Sequence, residues 1–151
     1  MGYIEKNLMA GEKVIYRTKL HWVIFLWSVI FVIIGIVGFA SRSGAVGGLF
    51  ILFAALTGIS SYINYSTSEF GVTNKRVLVK VGWIRRHSLE TLLTKVEGIG
   101  VDQGILGRIL GYGTIVVTGT GGTKEPFHKI DAPLKFRKLV QEQIASVQES
   151  K

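Results

Sequence analysis

Residues 66–82 read STSEFGVTNKRVLVKVG, and the residues just before them are almost wholly apolar. Within the quoted stretch the hydrophobic period is two, β-branched residues dominate, and Thr73-Asn74-Lys75 has the make-up of a hairpin turn. It reads as the first hairpin of a sheet domain, with strands over Ser66–Val72 and Arg76–Val81. The question is why a sheet begins directly after a segment that reads as a membrane helix.

Working back along the chain, His21–Ala40 is twenty residues without a full charge. A helix of that length spans roughly 30 Å, the thickness of a bilayer's hydrocarbon core. A second run, 46–63, is somewhat more polar, and SRSGA at 41–45 joins the two. Two spans with so short a link form an antiparallel hairpin, and a chain of 151 residues has no core large enough to bury it. Arg42 is the single charged residue between His21 and Tyr65. A cleaved signal peptide is not expected, because the apolar run starts twenty residues in, is too long, and is followed by a second.

Trp22 and Trp27 near one end and Tyr62 and Tyr65 near the other suit interfacial belts. In the second span Ala54, Thr57, Gly58 and Ser61 recur at helical spacing. Such a stripe of small residues lets helices approach closely, within the hairpin or between protomers. Neither span carries Asp, Glu, Lys or Arg, which a pump or proton relay normally needs, so the hairpin reads as an anchor. Lys6, Lys13, Arg17 and Lys19 precede it; Lys75, Arg76, Lys80, Arg85 and Arg86 follow it. The positive-inside rule then places both termini in the cytoplasm, with residues 1–20 as a cytoplasmic segment whose Lys13–Lys19 can donate a further strand.

Working forward, Ile84–Leu92 and Val96–Asp102 read as further strands, with a bulge or a sharp coil suggested by Gly98 and Gly100. Gln103–Leu110 suits a short helical turn, Thr114–Thr118 and Lys124–His128 two more strands, and Gly119–Gly122 the turn between them. Asp131 is placed to cap a final helix with Pro133 in its first turn. Phe136, Val140, Ile144 and Val147 form its apolar face. The expectation for 64–151 is a small barrel or orthogonal sandwich of about six strands, with Lys13–Lys19 as a possible seventh, plugged by a C-terminal helix.

The stretch 71–122 resembles the bacterial pleckstrin-homology-like domains called membrane-flanked domains. The likeness is carried by TNKRV, by KVEGIGVDQ and by LGRILGYGTIVV. The resemblance implies a seven-stranded, strongly bent barrel capped by a helix, and with the hairpin an α+β membrane protein. Together with the two apolar spans, the bacterial likeness gives the expectation of a multi-pass protein of a prokaryotic cell (inner) membrane. The family has no well-defined common activity.

Chemistry is sparse. His21, His87 and His128 are isolated, and Glu90, Glu97 and Asp102 alternate with apolar positions as solvated strand faces do, so no catalytic residue, metal site or cofactor is expected. Cysteine is absent, which removes disulfides and thiolate sites. GTGGTK at 119–124 is glycine-rich but lacks the phosphate-loop spacing and does not open a helix.

The net charge of +8 points to an anionic partner. Lys75, Arg76, Lys80, Arg85 and Arg86, close to the membrane exit, are the candidate lipid-surface contacts, each worth about 1 kcal/mol near an anionic leaflet. Alternatively they set topology and solubility alone. The pattern by which eukaryotic phosphoinositide-binding relatives hold a headgroup is not reproduced here. Nucleic acid is not expected, because Trp83 is the sole aromatic among these cations. The leading expectation is a non-enzymatic, membrane-anchored interaction module that self-associates and binds a protein partner. An anionic-lipid sensor and an oligomeric channel or transporter are the alternatives.

Overall fold

The computed structural model describes residues 2–82 and 87–150. The chain divides into two compact units, residues 22–66 and the remainder.

Residues 22–66 form the helical unit. A 3₁₀ turn over Trp22–Phe25 leads into α2, Leu26–Ala40, and a three-residue turn leads into α3, which begins at Gly44 and runs to Thr67. (α1 is the single turn Tyr3–Lys6 of the other unit.) Trp22–Ala40, the 3₁₀ turn and α2 together, and α3 are each long and apolar enough to cross a membrane. They pack through small residues. On α2 the buried positions are Ser28, Gly35 and Gly38; on α3 they are Gly47 and Ala54. A Cβ at Gly38 would lie 2.9 Å from the Gly47 nitrogen, so the backbones touch where side chains are missing. The helix extends past the expected end at 63, to Thr67, and near its end the Ser66 hydroxyl donates to the Tyr62 carbonyl at 2.8 Å. The first strand expected over Ser66–Val72 therefore starts later, at Glu69.

The other unit holds two sheets. In the first, β1 (Val14–Thr18), β2 (Glu69–Thr73), β3 (Arg76–Val81) and β4 (His87–Leu92) lie in that order, all antiparallel. The second is β5 (Val96–Asp102), β6 (Tyr112–Gly119) and β7 (Lys124–Asp131), with α4 (Ile105–Leu110) between β5 and β6. A register shift between Val96 and Gly98 is the bulge the glycines suggested. One corner closes where Leu20 bridges Ile130. The core lies between the sheets: Phe70 of β2 meets Phe127 of β7 edge to face at 6.0 Å. Val72, Val77, Val79, Ile99, Ile115, Val117 and Ile130 surround that pair and are buried.

The last helix, α5 (Pro133–Glu149), closes this core with Phe136 and Val140, both buried. Ile144 and Val147 line a gap of about 90 Å³ against Leu93 and Val96. The expected cap at Asp131 is corrected. Asp131 remains in β7, paired with Tyr112 and donating its N–H to the Lys19 carbonyl, so Ala132 takes the capping position. No side chain caps the helix; Pro133 opens it, and its missing N–H is one that the first turn would leave without an intrahelical partner.

In β3 three successive residues, Val77, Leu78 and Val79, are fully buried. A strand with one wet face alternates; this one is covered on both sides. Val77 and Val79 point into the core, while Leu78, paired with Gly71, faces the opposite way. There α1 lays Ile4 over Gly71, so close that a Cβ at Gly71 would meet its side chain at 2.5 Å.

Candidate functional site

The basic residues of the first hairpin were the expected surface site, and the structure places the described ones against residues 3–12. Arg76 is the clearest correction. It is only 5% exposed and points to the outer face of β3, beneath the N-terminal segment. Its Nε donates to Glu12 Oε1 at 3.0 Å and one Nη to Glu12 Oε2 at 3.1 Å. The other Nη donates to Glu90 Oε2 at 2.6 Å, and the Asn7 carbonyl also accepts from the guanidinium. A guanidinium this buried, with four of its five N–H groups engaged, presents no open face to a lipid phosphate.

The site tightens around Glu12, whose side chain has no solvent exposure. Thr73 Oγ1 donates to it at 2.6 Å and the Met9 N–H at 2.7 Å. Burial pushes the Glu12 carboxyl up, but the hydrogen bonds from Arg76, Met9 and Thr73 and the Arg76 charge outweigh it, so it titrates below its ordinary value. The Arg76 guanidinium is correspondingly held charged, first by its hydrogen bond to Glu12. Glu90 completes the cluster by accepting from the Tyr3 hydroxyl at 3.0 Å. That bond, with burial and the Glu90 charge, raises the Tyr3 phenol.

Lys75 and Lys80 serve the same segment. Lys75 Nζ donates to the Ala10 carbonyl at 2.8 Å, and Lys80 Nζ sits 4.8 Å from the centre of the Tyr3 ring. Lys75 keeps an exposed side and Lys80 a half-buried one. Arg85 and Arg86 lie outside the described residues. At its three described positions the basic cluster touches the chain's own N-terminal segment.

The small-residue stripe turns inward within the hairpin. Ala54 is buried, the Ser28 hydroxyl donates to Thr57 Oγ1 at 3.1 Å, and Ser61 Oγ donates to the Ile24 carbonyl at 3.0 Å. Gly58 faces Ser28. The partner positions Ser28, Gly35 and Gly38 were not singled out from the sequence, although their wide helical spacing and small size carry the same signal on α2.

Each histidine has its own surroundings. His21 stacks on Tyr112 at 5.3 Å, His87 meets Glu125 at 3.1 Å, and His128 meets the Thr114 hydroxyl at 3.0 Å. Among the described residues no three His, Asp or Glu side chains are grouped to hold a metal. The glycine-rich 119–124 segment is a hairpin turn, with Gly121 at φ 97° and Gly122 at φ 77°, angles that favour glycine.

A cleft of about 770 Å³ opens between α4 and the start of α5. Asp102, Gln103, Arg108, Pro133, Leu134 and Lys135 line it. Gln103 is spent on the backbone, donating to the Tyr112 carbonyl at 3.0 Å. The remaining polar groups offer charge and hydrogen bonding but no nucleophile–base pair.

No curated protein and no solved structure is significantly similar to the chain. Its sequence does match the bacterial PH domain family over residues 21–144, a span that takes in both the apolar helices and most of the two-sheet unit. Members of that fold class are generally non-catalytic interaction modules. Two sheets closed by a C-terminal helix and a family match over most of the length lead to one conclusion: this chain belongs to the bacterial PH domain family.

Proposed function

We propose that the chain is a membrane-anchored, non-enzymatic PH-type module, held by the α2–α3 hairpin with both termini on the cytoplasmic side of a prokaryotic inner membrane. The observation that carries the reading is what the two helices leave uncovered. Ile33, Ile36, Val37, Leu52, Leu56 and Ile59 are all exposed, whereas a soluble protein's core helix would bury such residues. In a bilayer those side chains meet acyl chains, and the Gly38–Gly47 seam supplies the close packing that helices in lipid depend on. The excess of Lys and Arg on the flanks over the lone Arg42 in the turn supports the orientation.

The module works through contacts. Self-association is part of the proposal, but the Ala54–Ser61 stripe is engaged inside the hairpin, which leaves the outward helix faces and the outer strands β4 and β5 as its surfaces. Membranes from expressing cells test the anchor directly: the chain stays in the pellet through alkaline carbonate extraction. Release into the supernatant would overturn the anchor. In mild detergent the expected mass exceeds that of a monomer, and a strictly monomeric mass at micromolar concentration would remove self-association alone.

A further inference from the structure

The helix α4 presents apolar surface that the folded chain does not cover. Ile105 is 81% exposed, Ile109 74% and Leu106 61%, and Leu110 is also exposed. Only Gly107 of its six residues is buried, because a Cβ there would lie 2.5 Å from the Tyr112 carbonyl oxygen. Leu134, at the start of α5, adds a fifth exposed aliphatic side chain across the cleft. Arg108 and Lys135 line the same cleft and are exposed, Lys135 with its Nζ 5.1 Å from the centre of the Tyr16 ring, and Asp102 is the acidic side chain beside them.

The place of this patch within its own unit gives it a direction. Tyr112, two residues beyond α4, stacks on His21. The His21 N–H donates to the Lys129 carbonyl at 2.7 Å, and the Asp131 N–H to the Lys19 carbonyl at 3.0 Å. His21 is the residue before Trp22, where the apolar helical unit begins. The patch therefore sits at the end of the two-sheet unit from which the chain departs for the helices. The β6–β7 turn lies at the other end of β6, roughly 25 Å away for a strand of this length.

We propose that α4 and Leu134 insert into the interface of the same membrane, with Arg108 and Lys135 against anionic headgroups. The proposal rests on the membrane reading of the hairpin and adds a third point of attachment to it. Two aliphatic pairs and a leucine offer on the order of a few hundred Å², short of the roughly 800 Å² that each partner of a standard protein interface buries. A bilayer needs no shape complementarity, and cations beside an apolar face are the usual pairing for interfacial insertion.

Because the chain has no cysteine, Ile109→Cys, Thr123→Cys and Val37→Cys each give a single labelling position in the full-length protein. Each variant is labelled with an environment-sensitive fluorophore and reconstituted into phosphatidylcholine–phosphatidylglycerol vesicles carrying nitroxide-labelled lipid. The labels at 37 and 109 are expected to be quenched several-fold more than the label at 123, which reports the β6–β7 turn. Quenching at 37 with position 109 no different from 123 overturns the insertion and leaves the hairpin anchor standing. Quenching at none of the three overturns both. A blue-shifted but unquenched label at 109 means that protein covers the patch, which also overturns the proposal. Removing phosphatidylglycerol should lower quenching at 109 and leave 37 unchanged; no change at 109 removes the headgroup role of Arg108 and Lys135.

Discussion

Replacing Arg76 with glutamine separates the two roles this residue can play. If it is the buried partner of Glu12, the substitution strands a carboxylate with no solvent exposure. Breaking a buried pair in this way typically costs about 3–5 kcal/mol. Glu12 keeps two hydrogen bonds, from Met9 and Thr73, so the lower end, about 3 kcal/mol, is the expected figure. For a unit of about a hundred residues that is a fall in Tm of about 10 °C or more. Thermal unfolding followed by the sheet's circular dichroism, in detergent, reads it. The Arg76→Gln protein should also become sensitive to trypsin at Lys6 and Lys13, as residues 3–12 lift from β3. The double variant Glu12→Gln/Arg76→Gln should recover part of the loss, with a coupling of about 1–3 kcal/mol. A Tm within about 2 °C of the parent would refute the reasoning, since an exposed cation costs almost nothing to replace. That result together with weaker lipid binding would restore Arg76 as a surface contact.

Acid should loosen the same dock. The Glu12 carboxyl is depressed below its ordinary 4.5, so the unfolded chain takes up the proton first as pH falls. Its stabilising contribution is complete above that value and is lost as pH drops through the folded one; tryptic release of residues 3–12 should rise there, and Glu12→Gln should flatten the dependence. In the hairpin, Gly38→Leu forces a side chain against the Gly47 backbone and should split α2 from α3, whereas Gly48→Leu meets nothing within 4 Å and should be neutral; energy transfer between labels on the two helices distinguishes them. Phe136→Ala empties a buried position next to Tyr16, whose ring lies 6.4 Å away, and should cost about 3–5 kcal/mol in thermal unfolding.

Much of the fold was legible because local signals agreed. The period of two placed β3 and β5 to the residue, the four-four-three spacing placed α5, and the turn glycines fell between β6 and β7. What local pattern missed was long-range. Nothing near Asp131 signals that its N–H will bond to Lys19, more than a hundred positions earlier, and so hold it in the strand. Arg76 was hidden for a related reason. Juxtamembrane cations look alike in sequence whether they face lipid or a carboxylate contributed by residue 12. One clue was present: Val77-Leu78-Val79 is too apolar for a strand with one wet face, and a strand covered on both sides needs a cover, which Ile4 and Glu12 supply. The α4 patch was visible as ILGRIL, but whether those side chains turn in or out depends on the close approach of Gly107 to Tyr112.

The central claim, a two-sheet PH unit carried by a hairpin that crosses the membrane, is tested most directly by the sidedness of single cysteines. Ser43→Cys lies in the turn between α2 and α3, and Gln143→Cys lies on α5. In intact spheroplasts a membrane-impermeant maleimide should label position 43 and leave position 143 unlabelled until the membrane is permeabilised. Equal labelling of both positions before permeabilisation, or protection of both, would contradict the account.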